Sequence, residues 1–159
     1  MKILVMSDTH GNIDKAEEAV RCNRGVDLII HLGDYFRDAQ RLSDIFPEIP
    51  MEYVYGNGDF MIGDIPCEKI LEFEGKRIFI THGHRYSVKW GHEKLFKKAE
   101  EMYVDLILFG HTHVTEMQEQ NGCVLLNPGS ISDSRNSMNE SYAIVEIKKG
   151  KIEARITYI

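Results

Sequence analysis

Short apolar runs and short polar clusters alternate along this chain, and most runs end in a glycine, an aspartate or a histidine. Lys2 to Ser7 is largely apolar and reads as a buried strand. Asn12 suits a helix N-cap. Ile13, Ala16, Ala19 and Val20 then fall on one helical face, and Gly25 lies just beyond its end. Val26 to His31 reads as a second buried strand. Ala39, Leu42, Ile45 and Phe46 mark a short helix stopped by Pro47, and Met51 to Tyr55 reads as a third strand. Strand, helix, strand, helix, strand predicts a parallel sheet with crossover helices.

The grammar then changes. Lys69 to Glu74 and Lys76 to His82 flank Gly75 and predict a hairpin. Leu95, Phe96, Ala99, Met102 and Tyr103 give one more amphipathic helix, and Asp105 to Phe109 a strand. Val114 to Gln120 and Cys123 to Asn127 flank Asn121-Gly122, a strong short hairpin signal. Pro128-Gly129 predicts a turn with the glycine at positive φ. Residues 131–140 are polar and aperiodic and read as a loop. Ser141 to Ile147 and Ile152 to Tyr158 flank Lys149-Gly150, and Ile152, Ala154, Ile156 and Tyr158 alternate like a half-buried terminal strand. There is no internal repeat, low-complexity tract or linker. Parallel strands first and hairpins later predict two packed sheets with helices outside.

Composition narrows the class. A chain of 159 residues predicts one domain, 1–159. At that length a fold buries roughly 70% of its unfolded surface and needs neither a disulfide nor a structural metal. The formal net charge of -6 argues against a protein that coats nucleic acid, which carries basic excess. It leaves room for a phosphorylated small molecule held by metal ions, which bring their own positive charge. Cys22, Cys67 and Cys123 are odd in number and widely spaced, as expected of free thiols in a reducing compartment. Ile3-Leu4-Val5-Met6 is a strand, too short for a signal-peptide core, and no run approaches the roughly 20 apolar residues of a membrane span. The expectation is a cytoplasmic protein.

Five polar clusters follow apolar runs: Asp8-Thr9-His10, Gly33-Asp34, Gly56-Asn57-Gly58-Asp59, Thr81-His82-Gly83-His84 and Gly110-His111-Thr112-His113. Strand ends of open α/β sheets carry binding loops. His111 and His113 stand two apart, so in extended backbone both reach one space. Aspartates, an asparagine and several histidines form a mixed hard and borderline ligand set, suited to Mn²⁺, Fe²⁺, Zn²⁺ or similar ions. The candidates outnumber the four positions of one tetrahedral ion, and two ions sharing a carboxylate fit better.

These ordered motifs resemble the calcineurin-like metallophosphoesterase superfamily, and more narrowly its small phosphodiesterases of the YfcE type. Asn127-Pro128-Gly129-Ser130 is a further family mark, so the resemblance covers nearly the whole chain. It implies an α/β fold, a four-layer α-β-β-α sandwich of two mixed sheets with outer helices. It implies two divalent metal ions, with Mn²⁺ first and Ni²⁺, Fe²⁺ or Zn²⁺ as alternatives. Carried over residue by residue, the first ion takes Asp8, His10 and His113, the second takes Asn57, His82 and His111, and Asp34 bridges them. The activity implied is hydrolysis of a small phosphodiester, phosphorylated or nucleotide-like, by a hydroxide held between ions about 3.5–4 Å apart.

One departure matters. Much of the superfamily has a histidine where this chain has Gly58, which leaves the general acid unassigned. His84, two residues from His82, is the candidate, alongside Asn57 in the catalytic set. The alternative from another class is a non-catalytic metal-binding scaffold resembling the retromer scaffold subunit. Retention of His10, Asp34, Asn57 and His82 favours the enzyme. A nuclease on long DNA would call for capping elements and a basic groove that this length does not hold. No stable nucleic-acid complex and no membrane partner are expected, and homo-oligomers are left open. Elsewhere His31 reads as a core or supporting histidine, His92 as a surface one, Arg135 as an exposed arginine, and Glu100-Glu101 as a solvated helix face. Tyr86 and Trp90 read equally as core packing or as a pocket wall or oligomer contact.

Overall fold

The computed structural model describes residues 1–135 and 139–159. Its strands are β1 (Lys2–Met6), β2 (Leu28–His31), β3 (Met51–Tyr53), β4 (Glu68–Phe73), β5 (Lys76–Thr81), β6 (Leu106–Leu108), β7 (Thr115–Gln120), β8 (Cys123–Pro128), β9 (Ser141–Lys148) and β10 (Lys151–Tyr158). The helices are α1 (Asp14–Cys22), α2 (Phe36–Ile45) and α3 (Glu93–Met102). One sheet runs in the order β10-β9-β1-β2-β3 and the other β4-β5-β6-β8-β7. Within the first, β1, β2 and β3 are parallel and β9 and β10 antiparallel. Within the second, β5, β6 and β8 are parallel, with β4 and β7 antiparallel at the edges. Both sheets are therefore mixed.

Alternation along the strands makes the layers. Ile3, Val5, Leu28 and Ile30 of the first sheet share one cluster with Ile78, Ile80, Leu106 and Leu108 of the second, and that cluster lies between the sheets. The intervening residues Leu4, Met6 and Ile29 face the other way and pack on Ala16, Ala19 and Val20 of α1 and Leu42 of α2. Phe79, Ile107 and Leu125 do the same against Leu95 and Ala99 of α3. The result is the four-layer α-β-β-α sandwich. Leu108 is fully buried in the middle layer, and its truncation to alanine would cost about 2–5 kcal/mol.

Local chemistry sets the connections. The hairpins β4–β5, β7–β8 and β9–β10 each turn in two residues, Glu74-Gly75, Asn121-Gly122 and Lys149-Gly150. All six have φ between 49° and 79°, the left-handed pair of a type I′ turn. Gly129 has φ 78°, as predicted. The Asn12 side chain accepts the backbone N–H of Asp14 at 3.2 Å, but the N-cap position of α1 is Ile13, one residue later than predicted, so Asn12 shapes the turn that leads into the helix. The third strand is shorter than predicted. Val54 N–H still donates to the His31 carbonyl of β2 at 3.2 Å, but Tyr55 N–H bonds to the Pro66 carbonyl instead. Of the predicted loop 131–140, residues 136–138 lie outside the described residues. Among the described residues no helix is long and apolar enough to cross a membrane.

Candidate metal centre

The five polar clusters follow β1, β2, β3, β5 and β6. Those strands are parallel within each sheet, and the packed sheets bring the loops together. The backbone then curls sharply. Asp8 (φ 58°), His10 (φ 48°), Asp34 (φ 54°), His111 (φ 71°) and His113 (φ 59°) all lie in the left-handed region. Aspartate and histidine visit this region more readily than most non-glycine residues, and such conformations gather where side chains must converge. This corrects the extended-backbone argument for the paired histidines. His111 and His113 do not point one way. The His113 ring lies 5.0 Å from that of His10, whereas the His111 ring lies 5.1 Å from that of His82. His84 is likewise not extended. It opens a 3-10 turn, His84–Tyr86, after Gly83, and its ring still lies 5.5 Å from His82 and 6.3 Å from His111.

Two groups of ligand atoms result. Asp8, His10 and His113 bring theirs within 4.8 Å of one another, as do Asp8, Asp34 and His82. In the first group His113 Nε2 is 3.2 Å from Asp8 Oδ1 and 3.2 Å from His10 Nε2. Asp34 faces both groups, with Oδ2 3.9 Å from His10 Nε2 and Oδ1 3.4 Å from His82 Nε2. Asn57 is exposed, between two glycines that abut Asp34. Gly58 N–H donates to Asp34 Oδ1 at 2.7 Å, and a Cβ on Gly56 would lie 2.1 Å from the same oxygen.

The donors fit divalent cations. His82 Nδ1 lies 2.8 Å from the Leu32 carbonyl, which can only accept, so the proton sits on Nδ1. In the neutral ring the Nε2 lone pair then faces a carboxylate oxygen, and this fully buried atom has no hydrogen-bond partner. His113 Nδ1 donates to the Asp133 carbonyl at 2.7 Å and likewise turns Nε2 inward. Asp8 Oδ1 is also buried without a hydrogen bond. A histidine oriented through its far nitrogen is the usual supporting geometry of a metal ligand. Burial works against the charge of Asp8, but His113 and His82 beside it outweigh this and hold the carboxyl down at about 2. Burial alone would lower His113; the Asp8 carboxylate raises it instead. Burial, with His82 and Lys89 nearby, lowers His111 to about 4. Burial, with His82 and Arg85 nearby, also lowers His84.

Several groups that hold this centre were not among the predicted site residues. Ser130 Oγ and Ser132 Oγ donate to the Asp8 carbonyl at 2.8 and 2.9 Å. Asn127 Nδ2 donates to Gly110 O and Thr112 Oγ1, both at 3.0 Å, and so fixes the loop that carries His111 and His113. The Asn127-Pro128-Gly129-Ser130 motif was the signal for Asn127 and Ser130, and Ser132 follows just beyond it. Asp38, buried in the first turn of α2, accepts Gly11 N–H at 2.8 Å, and nothing in the sequence pattern marked it. Asp59 Oδ1 accepts Tyr35 N–H and Phe36 N–H at 2.8 and 2.9 Å, and its Oδ2 accepts Gly56 N–H at 2.8 Å. It therefore clamps the Asp34 loop to the Asn57 loop and caps α2 from outside.

Other expectations resolve simply. His31 is fully buried, receives Gly33 N–H on Nδ1 at 3.2 Å and reaches Thr9 Oγ1 at 3.1 Å. Burial lowers it to about 4, so it is a neutral support behind the centre. His92 is not a plain surface residue, because its ring packs 5.3 Å from Phe109 and Nε2 meets Glu116 at 3.2 Å. Arg135 is exposed, Trp90 is 91% exposed, and Tyr86 packs on Phe79 and donates to Glu68 at 2.6 Å.

Known proteins resemble this chain in sequence and in fold. The chain is 35% identical over 157 residues to the Probable metallophosphoesterase YsnB of Bacillus subtilis, covering 98% of this chain and 89% of that protein. It is 25% identical over 171 residues to the phosphodiesterase YfcE of Escherichia coli, covering 92% and 88%. Its fold superposes on a predicted phosphoesterase of Streptococcus pneumoniae with a TM-score of 0.84 and 32% identity, over 99% and 88% of the two chains. Zinc-bound Vps29 of Entamoeba histolytica gives a TM-score of 0.76 at 24% identity over 99% of each chain, a likeness of fold alone. The family model for the calcineurin-like phosphoesterase superfamily domain matches residues 1–150, and the chain belongs to that superfamily.

Proposed function

We propose that this phosphoesterase-family chain is a dinuclear metal-dependent phosphodiesterase acting on a small phosphorylated or nucleotide-like diester. Asp8, His10 and His113 hold one divalent ion, Asn57, His82 and His111 the other, and Asp34 lies between them. The observation that carries this reading is the placement of Asp34, whose two oxygens face His10 at 3.9 Å and His82 at 3.4 Å. When bound, two such ions acidify water and neutralise charge on phosphoryl oxygens. Mn²⁺ is the first choice, with Ni²⁺, Fe²⁺ and Zn²⁺ as alternatives for this ligand set.

The protein's own part is to orient. The Leu32 and Asp133 carbonyls hold the His82 and His113 rings, and the seryl hydroxyls hold the Asp8 backbone. Asp59 keeps Asn57 and Asp34 in one rigid loop pair. His84, at the rim beside His82 and His111, is the group placed to meet a leaving oxygen. Its depressed proton affinity sets a limit on the donor role, because at neutral pH the ring is mostly neutral. The chain acts as a single domain in the cytoplasm.

The test is hydrolysis of a nitrophenyl phosphodiester and its monoester by metal-stripped protein resupplied with Mn²⁺, Ni²⁺, Zn²⁺ or Mg²⁺, with Asn57→Ala as control. Metal-restored diester cleavage that disappears in the control is the expected result. Cleavage of the monoester alone would make the protein a phosphatase. A folded protein that binds two ions and turns over neither ester would favour the non-catalytic metal-binding scaffold.

A further inference from the structure

Three of the eight large apolar side chains exposed among the described residues stand together beside the metal centre: Tyr35 (43%), Phe60 (79%) and Met61 (86%). With Phe36 they wall a cavity of about 190 Å³, and Arg37, Gly58 and Asp59 complete its lining; both Asp59 carboxylate oxygens are taken up by backbone N–H groups. The cavity adjoins the centre. Gly58 N–H is bonded to Asp34, and the Tyr35 ring meets the His10 ring edge-on at 5.4 Å. Its walls come from two loops, and the three bonds of Asp59 to Tyr35, Phe36 and Gly56 lock those loops together. The cavity is thus set before any ligand arrives, which lowers the ordering cost of binding.

Gly58 gains a meaning here. A Cβ at this position would lie 3.1–3.3 Å from the Asp34 carboxylate, and Gly58 itself lines the cavity. The volume is below the roughly 300–1,000 Å³ of pockets that hold whole drug-sized ligands, so it suits one ring system and not an entire nucleotide. Exposed aromatic and thioether surface covers a planar ring well, and a guanidinium at the edge supplies donors to ring acceptors.

We infer that the cavity walled by Tyr35, Phe36, Phe60 and Met61 is the subsite for a planar aromatic substituent of the phosphodiester, with nucleobases as the class it selects. The inference rests on the phosphodiesterase reading for its substrate, but the base-binding step does not depend on turnover.

The test therefore has two arms. The first compares kcat/KM for the p-nitrophenyl ester of thymidine 5′-phosphate with that for ethyl p-nitrophenyl phosphate, which share a leaving group. The thymidine ester is expected to be preferred, and Phe60→Ala should lower the thymidine-to-ethyl ratio about tenfold, with Phe60→Trp restoring it. The second follows the ¹³C-methyl signal of Met61, assigned by its loss in Met61→Leu, in metal-free protein titrated with thymidine 5′-phosphate. An upfield ring-current shift absent with ribose 5-phosphate is expected. Hydrolysis of both esters with an unchanged ratio in Phe60→Ala and a still Met61 signal would overturn the subsite and leave the phosphodiesterase standing. A base-dependent Met61 shift without hydrolysis under any metal would do the reverse.

Discussion

His82 Nε2 stands 3.4 Å from Asp34 Oδ1, while its Nδ1 is committed to the Leu32 carbonyl at 2.8 Å. Two electron-rich atoms, both buried, thus face each other across a gap that a cation would fill. Mn²⁺ added to stripped protein at about 100 times its dissociation constant should stabilise the fold by about 2.7 kcal/mol. That corresponds to a rise of about 5–10 °C in Tm for a chain of this size. Asp34→Asn should lose most of the rise. Scanning calorimetry with and without metal checks this, and identical Tm values would count against the centre.

Gly56 and Gly58 flank Asn57 but are not equivalent. A Cβ on Gly56 would meet the Asp34 backbone nitrogen at 2.6 Å and its Oδ1 at 2.1 Å, and the backbone cannot step aside. At Gly58 the nearest atoms are carboxylate atoms at 3.1–3.3 Å, which can give a little. Gly56→Ala should destabilise by about 1–3 kcal/mol or more and abolish metal-dependent activity. Gly58→Ala should cost clearly less stability. Urea unfolding of both variants decides the order, and equal losses would refute the argument.

His84 reaches the rim through a 3-10 turn, with its ring 6.2 Å from Tyr55. His84→Ala should slow cleavage of an alkyl phosphodiester, whose leaving oxygen needs a proton, more than that of a nitrophenyl ester, whose leaving group does not. General acid–base assistance is worth about 10²–10⁴-fold. Parallel losses on the two esters would reduce His84 to a shape-filling role.

Asp105 ties the start of β6 to that of β5. It accepts Lys76 Nζ at 2.7 Å and Arg77 N–H at 2.9 Å. Burial opposes its charge, but these two donors outweigh it and hold the carboxyl below its ordinary range. The folded state therefore favours the ionised form. The stabilisation is complete above the unfolded value near 4 and is lost as pH falls through the lower folded one. Asp105→Asn should cost about 1 kcal/mol at pH 7 and much less at the acid end. Denaturant titrations at the two pH values check it, and a penalty that does not shrink in acid would assign the effect to packing.

What the sequence determined by itself was local. Strand alternation such as Ile3 in, Leu4 out, Val5 in depends only on the two-residue period of extended chain. The Asn121-Gly122 and Lys149-Gly150 turns depend only on which residues tolerate positive φ. The order of the five polar clusters, each after a strand, was enough to mark the family. Tertiary structure decided how they meet. His10 and His113 are 103 residues apart and touch at 3.2 Å only because two sheets pack face to face. The left-handed backbone that parts His111 from His113 is held by Asn127, and that which aims Asp34 by Asp59. Neither clamp is a neighbour in sequence of the residue it holds. The Phe60 and Met61 cavity is likewise created by a loop contact and not by composition. Propensity and periodicity act over a few residues. The positions of a ligand set depend on hydrogen bonds closed across the whole chain, and these exist only once the core has formed.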